Sequence, residues 1–362
     1  MRDVAGLAGV STMTVSRVVA HPERVSEPTR RRVQQVIDQL GYVPDRIAGS
    51  LSSQRTGFVA TILPTLHNSN FADTARALSG VLRGAGFQPL FGFTDYSIAE
   101  EEAMVRAMLA RRPEGIVLTG GNHTDATRQM LAQADVPVVE IWDLPEKPID
   151  HAIGFSNFEV GRAMTRHLIG LGYRAIAFFG RAAHHGFRDF RGEARMEGHL
   201  AALRQAGLPA DLVVCQGTGP VTFAHGAECL ASLIDNGTLS ARRVDAVMTV
   251  SDLSAVGALC ECQRRGIRVP EDLAIAGFGD FEIAGLSVPP ISTVRVDCAL
   301  IGAEAGRLLI GLLRHPAREG AGWEGDGPQV RDVGFRVLAR ESTARVRATV
   351  RHAPTDLGAD PG

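Results

Sequence analysis

Residues 3–20 read DVAGLAGVSTMTVSRVVA, and this stretch decides how the whole chain is read. Val4, Ala5 and Ala8 fall on one face of a short first helix. Gly9 supplies the positive φ that a tight turn after that helix needs. Ser11 is placed to cap a second helix, whose Val15, Val18 and Val19 form an apolar stripe. Ala5 is small where two helices must cross closely. The opposite face of the second helix carries Thr12, Met13, Ser16 and Arg17. Arginine can grip guanine bidentately, Thr and Met can meet thymine methyls, and hydroxyls can reach phosphates. The same small–Gly–apolar pattern also describes a generic helical hairpin, so this stretch alone leaves both readings open.

A third helix follows. Ser26 caps it, and Val33, Val36, Ile37 and Leu40 recur at i, i+3, i+4 and i+7 before Gly41 stops it. In the next segment, YVPDRIAGSL, Asp45 can cap a short helix that Gly49 weakens. Residues 1–56 hold eight arginines against five acids, whereas the whole chain of 362 residues carries a net charge of -2. Positive charge is thus concentrated where nucleic acid would favour it.

From Gly57 the texture alternates. Short apolar runs at 58–63, 89–93, 115–118, 137–141, 175–179, 246–249 and 274–277 predict buried parallel strands. Amphipathic stretches at 71–83, 99–110, 160–171, 192–206 and 253–265 predict helices, several ending at a glycine. Such alternation predicts doubly wound parallel sheets with helices on both faces. Its length exceeds what one sheet usually needs, so two α/β lobes are expected, with ligand in the cleft between them. The fold class is therefore α plus α/β. The expected domains are a helix-turn-helix headpiece at 1–44, a hinge helix and linker at 45–56, a two-lobed body at 57–343 and a disordered tail at 344–362.

The ordered run DVAxxAGVSxxTVSRVV, then VSxxTRxxV, then LGYxPxRxAxxL resembles the headpiece and hinge of the lac-repressor/galactose-repressor family. The likeness extends to Arg340-Glu341-Ser342-Thr343 and covers about residues 3–343. It implies that Thr12, Met13 and Arg17 read bases. Thr14, Ser16, Ser26, Thr29 and Tyr42 would serve phosphate contacts and docking. Arg46, Ala48 and Leu51 would lie on the hinge helix, with Leu51 as a minor-groove wedge. Asp45 stands where the family commonly has Asn. Only Met1 and Arg2 precede Asp3, fewer residues than the family usually has, so a start further upstream is expected.

The body resembles periplasmic sugar-binding proteins, which implies an effector cleft. Leu66, Asn70 and Phe71 fall in its first segment, and Thr119 ends a strand there. Arg195 in RMEGH matches an arginine that holds polar effector groups. Ser251-Asp252 sits where many members have Asn-Asp, and Gly279-Asp280 replaces a common Asp-Asp. Within the family, STMTVSR, VLTGGNHT, VPVVEIWDLP, GFSNFEVGRAM and IAGFGDFEIA look most like the gluconate-utilisation repressors. That likeness adds His123, Glu140, Trp142 and Asp143 around the cleft. The implied effector is gluconate or a related sugar acid, with Arg195 and one of His67 and His123 as candidate cations and Glu140 and Asp143 as hydroxyl acceptors. A different sugar or a purine is the alternative. The implied partners are a homodimer mate and a pseudo-palindromic double-stranded operator.

An enzyme is not expected: the chain lacks GxxxxGK[ST], GxGxxG after a strand, and GxSxG. The acids and His184-His185 show no zinc spacing, and the five cysteines include CxC but no CxxC, so neither metal nor cofactor is expected. A periplasmic binding protein would account for the lobes but not for the headpiece. The absence of a signal pattern or a long apolar run makes a cytoplasmic protein with reduced thiols the expectation.

Overall fold

The computed structural model describes residues 1–43, 56–67, 69–183, 187–217, 219–314 and 328–344. Asp45, Arg46, Ala48 and Leu51 lie outside the described residues, as do His184, His185 and the segment from 345 onward.

The N-terminal unit is helical: α1 (Arg2–Ala8), α2 (Thr12–Ala20), a 3-10 turn (Pro22–Arg24) and α3 (Glu27–Leu40). Gly9 and Gly41 both take the left-handed conformation after their helices, at φ 60° and 58°. The Ser11 hydroxyl accepts from Thr14 N and closes the start of α2. Val4, Ala5, Ala8, Val15, Val18, Val33, Val36 and Ile37 form its core, with Tyr42 packed against it. Three expectations change here. Val19 and Leu40 are exposed rather than part of their apolar stripes, because a three-helix unit this small buries only one narrow face of each helix. Ser26 stands just before α3, but its side chain does not cap the helix; its hydroxyl donates to Thr29 Oγ1.

The body has two parallel sheets. The first comprises β1 (Phe58–Leu63), β2 (Gln88–Phe93), β3 (Gly115–Thr119), β4 (Val138–Ile141), β5 (His151–Gly154) and β11 (Val330–Asp332), in spatial order β11-β5-β4-β3-β1-β2. The second comprises β6 (Ile176–Arg181), β7 (Val213–Gln216), β8 (Ala246–Thr249) and β9 (Ala274–Ala276), in order β7-β6-β8-β9. Every pairing within both is parallel; Val59, for instance, stands between Pro89 and Gly115. Val, Ile and Phe fill the central strands because both faces are covered by helices.

Around the first sheet lie α4 (Ser69–Gly84), α5 (Ile98–Leu109), α6 (Asp125–Gln133) and, late in the chain, α13 (Cys298–Arg314). Around the second lie α7 (Asn157–Gly170), α8 (Phe190–Gln205), α9 (Phe223–Asp235), α10 (Thr238–Ala241), α11 (Asp252–Arg264) and α12 (Glu282–Leu286). The antiparallel pair β10 (Thr293–Arg295) and β12 (Arg336–Leu338) accompanies the later passages between lobes. Glycines permit close helix contact: a Cβ at Gly161 of α7 would overlap the Arg195 carbonyl, and one at Gly198 of α8 would overlap the Phe158 carbonyl.

The alternating pattern located seven strands. It passed over β5, β7, β10, β11 and β12, each only three or four residues long. No helix among the described residues is long and apolar enough to cross a membrane.

Candidate functional sites: the helical headpiece and the interlobe cleft

In the headpiece, α2 buries Val15 and Val18 and turns its other face outward. Thr12, Met13 and Arg17 are exposed, Met13 by 63%, while Thr14 and Ser16 are half-buried. An exposed methionine of that size on a short helix has no role in the core. Among the described residues, no acidic group of the headpiece pairs with Arg17, whereas Arg31 is tied to Glu27 one turn earlier. Ser26, Thr29 and Tyr42 lie at the start and end of α3, on the chain that flanks this face.

The cleft lies between the lobes, at the carboxyl ends of the strands. Its floor is an aromatic series that crosses from one lobe to the other. Phe71 meets Trp142 at 4.8 Å, Trp142 meets Phe155 at 5.7 Å, and Phe155 meets Phe278 at 6.0 Å between ring centres. Trp142 holds a positive φ of 71°, a strained conformation for a bulky residue. The surroundings fix it there: its indole Nε1 donates to Thr74 Oγ1, and its carbonyl accepts from Asn157 Nδ2. Asn157 Oδ1 in turn accepts from Arg195 Nη1 at 2.6 Å. Arg195 lies over the Phe278 ring, 4.2 Å from its centre, and burial pushes its pKa down. Asp189 caps α8 by accepting from Gly192 N, and its other oxygen is 3.9 Å from Arg195.

Two adjoining chambers open from this floor. The inner one, about 560 Å³ including its mouth, is lined by Asn70, Phe71, Trp142, Asp189, Arg191 and Arg195, with Ser251, Phe278 and Phe281 among the remaining walls. The outer one is lined by Thr94, Ser97, Glu101, Thr119, Asn122, Asp143 and Arg188, with Tyr96 and Arg191 shared between the two. The lobes meet beside them: Arg188 N donates to Tyr96 O at 3.3 Å, Ser97 and Phe187 form a single bridge, and the Tyr96 and Phe187 rings stand 5.6 Å apart.

Asn70, Phe71, Trp142, Arg195 and Ser251 thus come together in the inner chamber, and Thr119 and Asp143 in the outer one. Five other residues from the sequence reading stand elsewhere. Leu66 is exposed on the loop after β1, and its neighbour His67 is the one that faces the chamber. His123 and Glu140 are buried below the outer chamber. His123 Nδ1 is 2.5 Å from Glu101 and its Nε2 3.1 Å from Glu140, whose second oxygen accepts from Ile149 N. Burial alone would lower the His123 pKa, but the two carboxylates outweigh it and raise it to about 9. Asp252 is buried behind the inner wall, accepting from Thr293 Oγ1 at 2.7 Å and from Phe281 N at 2.9 Å. Burial pushes it up to about 7 despite both bonds. Asp280 is turned away to Arg295 and Arg340.

Gly279 explains why a carboxylate is missing there. It holds φ 124°, and a Cβ would collide with the Phe281 ring and crowd Asn70 Nδ2. Phe281 therefore occupies the space that a side chain at 279 would need. The sequence reading passed over Tyr96, Asp189, Arg191, Phe278 and Phe281. One signal was available: Arg191 lies four residues before Arg195 and so shares its helix face. Among the described residues no cluster of His, Cys, Asp and Glu could hold a metal ion.

Comparison with known proteins agrees with this division. Residues 1–45 match the family model of bacterial regulatory proteins, lacI family, and residues 165–343 match the periplasmic binding protein-like domain. The chain is 34% identical over 347 residues to the HTH-type transcriptional regulator GntR of Pseudomonas aeruginosa, covering 95% of each chain. It is similar to the crystal structure of a LacI-family transcriptional regulator from Silicibacter pomeroyi, at 32% identity and a TM-score of 0.85, over 95% of this chain and 99% of that one. It is also similar to the transcriptional regulator CelR in its cellobiose complex, at 30% identity and a TM-score of 0.65, over 94% and 98% of the two chains. The chain is thus similar along nearly its whole length to proteins that regulate transcription, and it belongs to the LacI family of bacterial transcriptional regulators.

Proposed function

We propose that this regulator binds a pseudo-palindromic operator as a homodimer and that gluconate or a closely related sugar acid sets its operator affinity. The headpiece brings Thr12, Met13 and Arg17 to the major groove, with Thr14, Ser16, Ser26, Thr29 and Tyr42 serving the phosphate backbone. The cleft supplies the control. Because its walls come from both lobes, a ligand bound there favours the closed arrangement, and any difference in its affinity for the open and closed states shifts DNA binding.

The observation that carries the sugar-acid reading is the charge of the inner chamber. Arg191 and Arg195 line it against Asp189 alone, which leaves one positive charge in excess. Asn70, Ser251 and Asp189 add donors and acceptors for hydroxyls, and the aromatic floor suits the apolar face of a carbon chain. Gly279 contributes no repelling carboxylate. A neutral disaccharide is the second reading. It draws on the outer chamber, which adds room beside the first, and on the cellobiose bound by CelR.

A thermal-shift series separates the two. Gluconate at a hundred times its dissociation constant should add about 2.7 kcal/mol to stability, and cellobiose or glucose much less. Gel shifts with the operator, with and without the same ligand, should then show altered DNA affinity. Stabilisation by cellobiose alone would select the second reading.

A further inference from the structure

The cations around the cleft are not equivalent. Arg195 is already engaged, with Nη1 on Asn157, Nη2 on the Val250 carbonyl and its plane against Phe278. Arg188 is held by both oxygens of Glu193 at 2.9 and 3.0 Å. Arg191 differs from both. It starts on α8 in the second lobe and reaches the first. Its guanidinium carbon lies 5.7 Å from the Phe71 ring centre and 5.8 Å from that of Tyr96. A Cβ on Gly120, at the end of β3, would come within 2.9 Å of Arg191 Nη1. The Tyr96 phenol beside it stays protonated, because burial pushes its pKa up to about 12. Among the described residues no carboxylate comes within ion-pair distance of Arg191, and it lines both chambers.

This is the geometry of an anion receptor. Two aromatic faces hold a planar guanidinium in place, and most of its five donors remain available for a bidentate partner. Hydroxyl partners flank it on either side: Asn70, Asp189 and Ser251 in the inner chamber, and Thr119, Asn122 and Asp143 in the outer one.

We propose that Arg191 is the residue that recognises the anionic group of the effector, gripping a carboxylate from the wall between the two chambers, while Arg195 positions the floor of the cleft. The inference rests on the sugar-acid reading given above and moves the anion contact from Arg195, where the family pattern put it. It also gives the acid group a mechanical consequence. Arg191 belongs to one lobe and rests on rings of the other, so a carboxylate bound to it adds a charge-assisted link where the lobes meet.

The test uses calorimetry on the full chain with gluconate, glucitol (the neutral alcohol of the same length), 6-phosphogluconate, glucose and glucose 6-phosphate. The wild type should prefer acidic members to their neutral counterparts. Arg191→Ala and Arg191→Gln should lose roughly tenfold or more in affinity for the acid, the low end for a charge-assisted hydrogen bond, and much less for glucitol, so that the preference for the acid collapses. Arg191→Lys should keep part of the preference, because charge remains but the fork is lost. Arg195→Lys should weaken acid and alcohol alike. Melting curves of each variant establish that it is folded. If Arg191→Ala and Arg191→Gln keep the acid preference, the assignment fails although the sugar-acid reading stands. If the wild type selects glucose 6-phosphate over glucose through Arg191 but ignores gluconate, the sugar-acid reading fails and the receptor assignment survives. Binding of neutral members only would overturn both. A preference for 6-phosphogluconate that survives Arg191→Ala would also overturn the assignment, because a different residue would then read the anion.

Discussion

Replacing His123 by Gln tests the buried Glu101–His123–Glu140 series directly. The imidazole is fully buried between two carboxylates, and its pKa is raised from 6.5 to about 9. A change of that size corresponds to about 3 kcal/mol of preference for the protonated folded state. Removing one member of a buried ionic set costs roughly 3–5 kcal/mol, because the remaining charges stay desolvated, so the two routes agree. The sign follows from linkage. The folded pKa lies above the unfolded one, so the contribution is fully present below pH 6.5 and is lost as pH rises through 9. Urea unfolding followed by tryptophan fluorescence should therefore show His123→Gln about 3 kcal/mol less stable than wild type at pH 6, with the gap narrowing markedly by pH 9.5. The variant should keep its affinity for a ligand of the inner chamber, which none of the three residues lines, since only Glu101 reaches the outer one. A gap that is independent of pH would refute the charged imidazole. Loss of effector binding in a stably folded variant would return His123 to the cleft.

Three further expectations follow from the geometry. Arg17→Ala should weaken operator binding by roughly 1–3 kcal/mol and relax base preference in gel shifts, and unchanged affinity would remove α2 from the major groove. Gly198→Ala should destabilise the second lobe by at least 1–3 kcal/mol in melting experiments, because its methyl group overlaps the Phe158 carbonyl where α7 and α8 touch; a neutral result would mean those helices can separate freely. Asp252→Asn should flatten the pH dependence of stability between about 4 and 7. Burial raises the wild-type carboxyl from 3.8 to about 7, so the unfolded chain ionises first and wild-type stability falls over that interval. Identical slopes in the two proteins would contradict this.

Apart from Val19, Leu40 and the cap at Ser26, the headpiece was legible because its interactions are local. Gly9 and Gly41 end helices through their own φ, Ser11 caps through an amide three residues on, and Val15 and Val18 share a face by helical period alone. The alternation of the body was legible for the same reason, since long buried strands and amphipathic helices carry their period within themselves. Tertiary structure decided the shorter strands, whose pairing depends on neighbours distant in sequence; β11, for example, joins the sheet beside β5 nearly 180 residues after it. It also decided the cleft. Glu140 reads as a carboxylate available to a ligand until the fold places His123 and Ile149 N against it, and Asp252 reads the same way until Thr293 and Phe281 N close over it. Arg191 looks like one more arginine in an arginine-rich chain until the lobes meet and set it on Phe71 and Tyr96 with no carboxylate at hand among the described residues. A residue type states what chemistry a side chain can do. Whether that capacity is spent inside the protein or left for a ligand depends on partners that only the folded chain brings within a few ångströms.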